Sequence, residues 1–443
     1  MAAIDASIYE ELVVESNDGV NSVDIRLGTV AIDYYEDIFS PTITTKITVV
    51  NTGDAVISAK DGKLKSIYNG LPLRGGERVS IKIAGNSDTN LGLDFATNPK
   101  DYLYVSSITN VISEPQRELF TLHLVSREAI TNETTRVSKK YPTSSPISVS
   151  AEKIITEYLK PDKDSEIDTT TNDYGFIGNL RKPFTVLTWL ASKAVPDITD
   201  GTAGFLFYQT QDGFKFKSID KLISTKPIFE YVYTGANKNS AIENNDLKIL
   251  SYTTNKNQNL LEKLRLGAYS SYRVGFNPLT GSFSEGANQN QASFGVNQYK
   301  DKTKNLGQEV KLPPISNDAN VGLGDIPTRI ISQLFDVGTV DKGVSLKPNA
   351  DPFKYQSQSI MRYNLLFTQQ LSMTIPLNTN LKAGDIITCK FPQNTRDKSK
   401  TYDEEQSGLY MIKELCHHFD PDQSLTSMKL VRDTFGLYGT NNQ

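Results

Sequence analysis

His123, His417 and His418 are the only imidazoles in the chain, and Cys389 and Cys416 are the only thiols. A nucleophilic serine or cysteine needs a base that titrates near neutral pH, so a triad would have to recruit one of these three histidines. His123 falls in Leu119-Phe-Thr-Leu-His-Leu-Val125, where alternation predicts a strand, and it reads as a strand residue. Cys416-His417-His418 with Cys389 is the best metal-binding set, because thiolate and imidazole are zinc ligands. Neighbours on a strand point to opposite faces, so His417 and His418 cannot easily hold one ion, whereas Cys416 and His418 can share a face. Buried cysteines and partly exposed histidines on a barrel strand are the simpler reading. Asp162-Lys-Asp-Ser-Glu-Ile-Asp168 resembles the start of a calcium loop. It carries Ile167 where the turn needs glycine and Asp173 where a bidentate glutamate belongs, so it reads as a solvated acidic turn. Arg136, Lys139, Lys140 and Tyr141 form a small basic-aromatic group that reads as a hinge after a strand rather than a nucleic-acid site. The sequence has no phosphate-binding loop pattern, no Gly-x-Ser-x-Gly elbow and no His-Glu-x-x-His helix. Nothing singles out two of the 51 acidic residues as a glycosidase pair. The expectation is therefore no catalytic, cofactor-binding or metal-ligating residue, no cofactor, and a protein that is not an enzyme.

Composition agrees with a chain that works through surfaces. At 443 residues it should hold several domains. Its hydrophobic fraction is 38%, below the usual figure of about 45–50%. That suits β-rich domains with polar loops and much surface given to partners. The net charge of −4 argues against phosphate binding as the main task. Residues 1–40 hold nine acidic residues against Arg26 alone, which reads as a solvated surface or, functionally, as a wall that repels a polyanion. No apolar run follows Met1 and no stretch approaches the roughly 18 apolar residues of a membrane helix. Two cysteines are too few for a disulfide scaffold, so folding in a cytoplasm is expected.

The elements that would position these residues are mainly strands. Alternation marks Ile43–Val49, Val79–Ile83 and Leu119–Val125 within a first β domain, residues 1–125. Residues 126–204 predict two amphipathic helices. One covers about 149–160, capped by Ser148 or Ser150 and stopped by Pro161; the other covers about 183–195, with Pro183 in its first turn and Trp189 in the core. Asp212-Gly213 between aromatic runs predicts a hairpin, and strand-like segments follow at 228–234 and 247–272. Residues 275–325 are rich in Gly, Asn and Gln and read as a long excursion with little regular structure that reaches a neighbour. Helices are expected at about 327–336 and 352–367, the latter capped by Asp351. Strands resume at 371–377, turn at Gly384-Asp385, and continue through 386–391, 408–419 and 425–431. The fold class is mainly β with α. A first β domain (1–125) and a discontinuous second one (205–274 with 361–437) flank a helical or mixed domain (126–204), with an insertion at 275–360 and a tail at 438–443.

Three segments resemble the baseplate hub proteins of T-even-type contractile phage tails. Ser126-Arg-Glu-Ala-Ile-Thr-Asn-Glu-Thr-Thr-Arg-Val-Ser-Lys-Lys-Tyr141 is similar to their join between first barrel and helical domain. Gly204-Phe-Leu-Phe-Tyr208 with Gly213-Phe-Lys-Phe216 is similar to the segment after the helices, and Ser407–Phe419 with Met428–Asp433 to the closing strands of their second barrel. The resemblance implies two tail-tube-like barrels per chain and a homotrimer forming a pseudo-sixfold ring. That ring would join a threefold central spike to a sixfold tail tube or tube-initiator protein. It also implies contacts with baseplate wedge proteins and possibly a tape measure protein, DNA passing through the lumen without specific binding, no membrane insertion, and a place in the virion tail after assembly in the host bacterial cytoplasm. No motif matches residues 275–325. The rival readings are a virion-associated cell-wall hydrolase, which predicts a cleft with perturbed carboxylates, a receptor-binding adhesin module, and the hub of a phage-like injection machine.

Overall fold

The structure is a computed structural model of the chain. It describes residues 3–436 apart from 52–55, 58–63, 115–116, 235–244, 256–258, 278–280, 284–291, 300–303, 308–311, 313–321, 335–354 and 394–401. The protein is mainly β with short helices. Sixteen strands carry the architecture: β1 Tyr9–Glu15, β2 Thr29–Asp37, β3 Thr44–Asn51, β4 Arg78–Ala84, β5 Leu103–Glu114, β6 Arg117–Val125, β7 Phe205–Thr210, β8 Gly213–Ser218, β9 Glu230–Tyr233, β10 Ser251–Asn255, β11 Ser270–Asn277, β12 Arg329–Leu334, β13 Gln369–Pro376, β14 Ile386–Lys390, β15 Gly408–Phe419 and β16 Ser424–Arg432.

Period-2 patterning builds two cores. In the first, Leu12, Val14, Ile32, Tyr34, Ile47, Val79, Ile81, Phe120 and Leu122 come from alternate positions of β1 to β6. In the second, Tyr231, Leu371, Met373, Ile387, Tyr410, Ile412, Leu415 and Met428 come from β9 and β13 to β16. The two are joined by backbone pairing. β15 lies antiparallel to β2, with Cys416 opposite Tyr35, His417 opposite Tyr34 and His418 opposite Asp33. One fifteen-stranded sheet therefore runs through both regions.

Between them sits a third core of Ile154, Leu187, Leu190, Phe205, Phe207, Phe214 and Phe216. It is made by α1 (Arg127–Thr134), α2 (Ile147–Ile154), α3 (Pro183–Ala191) and the β7–β8 hairpin. Asp212-Gly213 does turn the hairpin: Gly213 has φ +126, and a Cβ there would stand 2.6 Å from the Asp164 carbonyl oxygen. Inward Phe205, Phe207, Phe214 and Phe216 serve the middle core. Leu206 and Tyr208, on the other face, pack with Ile38, Ile386, Met411 and Val431 of the β regions.

Several expected elements shift. α2 begins at Ile147 after Pro146, not at a serine cap; Ser148 lies inside the helix, where its hydroxyl accepts from the Thr170 backbone N–H at 3.3 Å. The helix passes into a π turn, Ile155–Leu159, and ends on Lys160 at φ 51, just before Pro161. α3 stops at Ala191 rather than 195. Residues 260–266, read as strand-like, form α5 after the short α4 (Ile219–Ile223); the Asn259 side chain caps α5 by accepting the Glu262 N–H at 3.1 Å. The segment expected as a helix near 327–336 is β12, paired in parallel with β11 so that Ile330 faces Tyr272. Its Ile330, Ile331 and Leu334 fit a helical stripe, but β-branched residues beside an available strand edge favour pairing. α6 covers Gln356–Leu365, and Asp351 and Pro352 lie outside the described residues. The described parts of 275–325 include the strand Ala292–Gly295 and the helical turn Val296–Tyr299. Trp189 is partly buried against the middle core, edge-on to Tyr174 and Phe176.

A buried ionic joint ties α6 and the turn at Tyr299 to the rest. Arg362 of α6 is fully buried. It donates from Nε to Asp220 Oδ1 at 2.8 Å and from Nη1 to Asp433 Oδ2 at 3.1 Å, and it stacks 4.5 Å over the Tyr299 ring. Asp433 also accepts the Tyr299 hydroxyl at 2.8 Å and the Leu306 N–H at 2.9 Å, and Asp220 accepts from Thr202. Removing the cation leaves two buried carboxylates uncompensated. Arg362→Met is expected to cost about 3–5 kcal/mol in urea unfolding, and adding Asp220→Asn with Asp433→Asn should recover part of it.

Candidate functional site: the open polar face of the sheet

Eight strands of the large sheet follow one another in the order β10–β13–β16–β15–β2–β3–β6–β5. Their inward residues fill the two β cores. Their outward residues are hydrophilic and, away from the middle core, uncovered: Ser251 and Thr253, Ser372 and Thr374, Ser427 and Lys429, Glu414 and His418, Asp33 and Tyr35, Thr44 and Lys46, His123, Ser107 and Thr109. Alternation produces this division at every strand.

Charge on the face is balanced locally. Lys413 meets Asp37 at 2.8 Å, Lys429 meets Glu414 at 2.9 Å, and Lys46 lies 5.2 Å over the Tyr35 ring. His418 Nδ1 is 2.6 Å from Asp33 Oδ1 and its Nε2 is 3.2 Å from Asp420 Oδ2, and hydrogen bonding to Asp33 raises its pKa. Part of the acidic start of the chain is paired in space as well: Glu15 meets Arg78 at 2.8 Å, Glu10 meets Lys82 at 3.1 Å and Asp24 meets Arg26 at 2.6 Å. Instead of a continuous acidic wall, the sheet presents paired charges among serines and threonines.

The structure separates the residues singled out for chemistry. His417 points inward and is 1% exposed; burial drives its pKa down to about 3, and its Nδ1 lies 3.0 Å from Thr426 Oγ1. His418 and Cys416 point outward from the same strand, with Cys416 Sγ 3.9 Å from Asp33 Oδ1. Cys389 is buried in the second core. Among the described residues no group of three or more His, Cys, Asp or Glu is placed to hold a metal ion. His123 Nε2 meets Thr109 Oγ1 across β5 and β6 at 2.8 Å. The carboxylates of 162–168 diverge: Asp162 meets Lys100 at 2.5 Å, Glu166 pairs with Lys215 and Lys217, and Asp168 accepts the Ser218 N–H at 2.9 Å. Lys139 pairs with Glu157 at 2.6 Å, and Tyr141 stacks on Phe176 in the middle core.

A cleft of about 1220 Å³ opens where β7, β8 and α4 meet the 380–386 segment. It does contain perturbed carboxylates. Burial raises Asp385 to about 6, while Glu166, despite partial burial, is held down at about 2 by Lys215 and Lys217. Glu166, Asp168, Asp212 and Asp220 are each engaged by a lysine or arginine, so the cleft is laced by ion pairs. Gly384, at φ +94, lets its loop pass the Tyr208 hydroxyl, which a Cβ would approach to 2.4 Å.

Two residues that matter were not legible as such. Arg362 resembles any helix arginine in sequence. Glu36 left a signal: it occupies the apolar phase Ile32, Tyr34, Glu36, Ile38. It is 1% exposed and accepts from the Tyr34 hydroxyl at 2.8 Å, the Gln211 N–H at 2.7 Å and the Ala383 N–H at 2.9 Å. One carboxylate thus touches the first β region, the β7–β8 turn and the segment leading to β14. Burial raises its pKa from 4.5 to about 7 against these donors. The folded protein then binds more protons than the unfolded chain between those values, and this contribution to stability is lost as pH rises through about 7. Glu36→Gln is expected to lose less unfolding free energy than the wild type between about pH 5 and pH 8 in parallel denaturant titrations. An unchanged pH dependence would contradict the role given to Glu36.

No protein-family model matches the chain. A probable baseplate hub protein, gp334 of Vibrio phage KVP40, is 22% identical over 300 residues, covering 64% of this chain and 65% of that relative. The chain thus spans just under two thirds of the relative's length. Among solved structures, a 43 kDa tail protein of prophage MuSo2 from Shewanella oneidensis matches with a TM-score of 0.52 at 9% identity, over 96% of this chain and 98% of that one. A tail protein from Neisseria meningitidis MC58 matches with a TM-score of 0.51 at 9% identity, over 96% of each chain. At that identity the two structures establish a shared fold.

Proposed function

We propose that this chain, a relative of phage baseplate hub proteins with the fold of phage tail proteins, is a structural hub without bond chemistry. In this reading it forms a homotrimeric pseudo-sixfold ring between a threefold spike and a sixfold tail tube, assembled in the host cytoplasm and carried in the virion tail. The observation that carries the reading is the single sheet with an open polar face, built from two separate β regions. Two similar barrels per chain let three copies offer six near-equivalent docking surfaces. A face of hydroxyls and paired charges suits the wall of a DNA channel, because a polyanion finds no basic track to grip. The expected division of the chain into two barrels, a mixed domain and an insertion belongs to the same proposal, as do contacts with wedge and tape measure proteins. The ion-paired cleft favours this reading over a cell-wall hydrolase, since no two of its carboxylates stand free as an acid and base couple.

Light scattering at several concentrations with negative-stain imaging tests the ring. A trimer with a central hole of DNA width is expected. A chain that stays monomeric, even when mixed with its spike protein, would falsify the proposal. The face has its own test. Lysines in place of Ser372, Ser427 and Thr48, three of its outward residues, should leave the trimer intact. They should also create duplex-DNA binding that weakens as salt rises, where the wild type shows none.

A further inference from the structure

At one corner of the middle core, Lys140–Tyr141 pairs antiparallel with Phe176–Ile177. Tyr141 and Phe176 are buried and stacked, while Lys140 and Ile177, opposite each other, are exposed. The chain then reverses through Gly178-Asn-Leu-Arg181. The Arg181 N–H closes this turn on the Gly178 carbonyl at 3.0 Å, and the Leu180 N–H donates to the Val137 carbonyl at 3.0 Å. Asn179 and Leu180, the two central residues, have φ of 50 and 55. Such a turn takes Gly, Asn or Asp, and Asn179 suits its place. A leucine there is strained, because its Cβ crowds the following carbonyl oxygen. A core contact would offset that cost, yet Leu180 is 65% exposed, and Ile177 beside the turn is 49% exposed. Strain held without internal compensation points to a contact made outside the chain.

Charge around the turn is a second, independent observation. Arg136, Lys139, Lys140, Arg181 and Lys182 gather on the two paired segments. Lys139 pairs with Glu157 at 2.6 Å, and Lys182 pairs with Glu133. Arg136 spends its Nη1 on the carbonyls of Glu133 and Thr135, at 2.9 and 2.7 Å, which leaves its charge uncompensated. Neither Arg136 nor Arg181 stands in an ion pair among the described residues. The corner is therefore basic in a chain whose net charge is −4. A protein partner fits it poorly: anchors of protein interfaces are enriched in Trp, Tyr and Arg, leucine is under-represented among them, and lysine is depleted. A duplex offers phosphates to the cations and nothing to Ile177 and Leu180. A bilayer surface suits both halves, since apolar side chains enter the acyl boundary while Lys and Arg stay with anionic headgroups. A convex turn also needs no shaped pocket there.

We infer that the turn at 178–181 docks the protein on an anionic lipid surface, with Leu180 and Ile177 entering the headgroup boundary and Arg136, Lys140 and Arg181 meeting lipid phosphates. The contact is interfacial, and no helix among the described residues is long and apolar enough to cross a membrane. The inference goes beyond the ring reading and does not depend on it. In a threefold ring, three equivalent turns would face the same side and bind together.

Flotation of the full chain with vesicles tests it. The wild type should float with vesicles of equal parts phosphatidylglycerol and phosphatidylcholine, less as salt rises, and should not float with phosphatidylcholine alone. Leu180→Gly separates strain from contact. Its melting temperature should equal or exceed that of the wild type, while its vesicle affinity falls about tenfold, roughly the worth of one buried leucine. Leu180→Asn, which also tolerates the left-handed backbone, should behave alike. Arg136→Gln with Arg181→Gln should lower affinity by at least about tenfold and flatten the salt dependence. A wild type that does not float with phosphatidylglycerol vesicles overturns the proposal, and its capture by immobilised polyglutamate instead would assign the corner to an acidic protein. Flotation that survives all three variants belongs to another surface and overturns it too. A melting temperature lowered in both Leu180 variants overturns the strain argument.

Discussion

The ladder between β2 and β15 is the interaction on which the rest of the structure depends. It joins residues 29–37 to residues 408–419 and makes one sheet of two β regions almost four hundred residues apart in sequence. Without it the chain would hold two separate β regions with a helical middle between them, free to shift against each other as loosely packed units do. With it, outward residues of both regions stand on one surface and the core residues behind them share a frame. The pairing is reinforced on both sides. Inside, His417 stacks on Tyr34 at 5.9 Å between ring centres; outside, His418 bridges Asp33 and Asp420.

Two buried polar junctions hold other parts in fixed relation to that seam. Glu36 uses its carboxylate to collect donors from three segments, and the Arg362 cluster binds α4, α6, the Tyr299 turn and the end of β16. Buried charge is a poor source of net stability, because desolvation offsets most of the attraction. The effect of such junctions is geometric: a buried polar group with directed hydrogen bonds tolerates few arrangements of its partners. Apolar contact alone, as among Leu206, Ile219, Leu366 and Val431, would permit sliding. Where outward residues of two regions must stand on one surface, one defined orientation of those regions is worth more than a few extra kcal/mol.

The polar face and the ion-paired cleft show why charge totals mislead. The chain carries nine acidic residues in its first forty and many lysines around its cleft, yet in both places ion pairs engage several of them. Along the open face, hydroxyls stand among short ion pairs. Such a surface neither attracts nor strongly repels a polyanion at physiological salt, where screening acts over roughly 8 Å.

Much was legible from sequence because strands repeat every two residues. The alternation of 43–49, 79–83, 119–125, 371–377 and 408–419, with turns at Asp212-Gly213 and Gly384-Asp385, located both cores and the hairpin. The same periodicity put Cys416 and His418 on one face and His417 on the other. Segments with mixed signals were misread: 327–336 carries a helical stripe but pairs as β12, and 260–266 looks extended but forms a capped helix. Local pattern decides which residues face a core, since that depends only on backbone period. It cannot decide which strand lies beside which, because a strand edge offers the same backbone groups to any partner. The pairing of β2 with β15, the parallel joint of β11 with β12, and the meeting of Arg362 with Asp220 and Asp433 were decided only by tertiary structure, through contacts between segments that carry no record of one another in sequence.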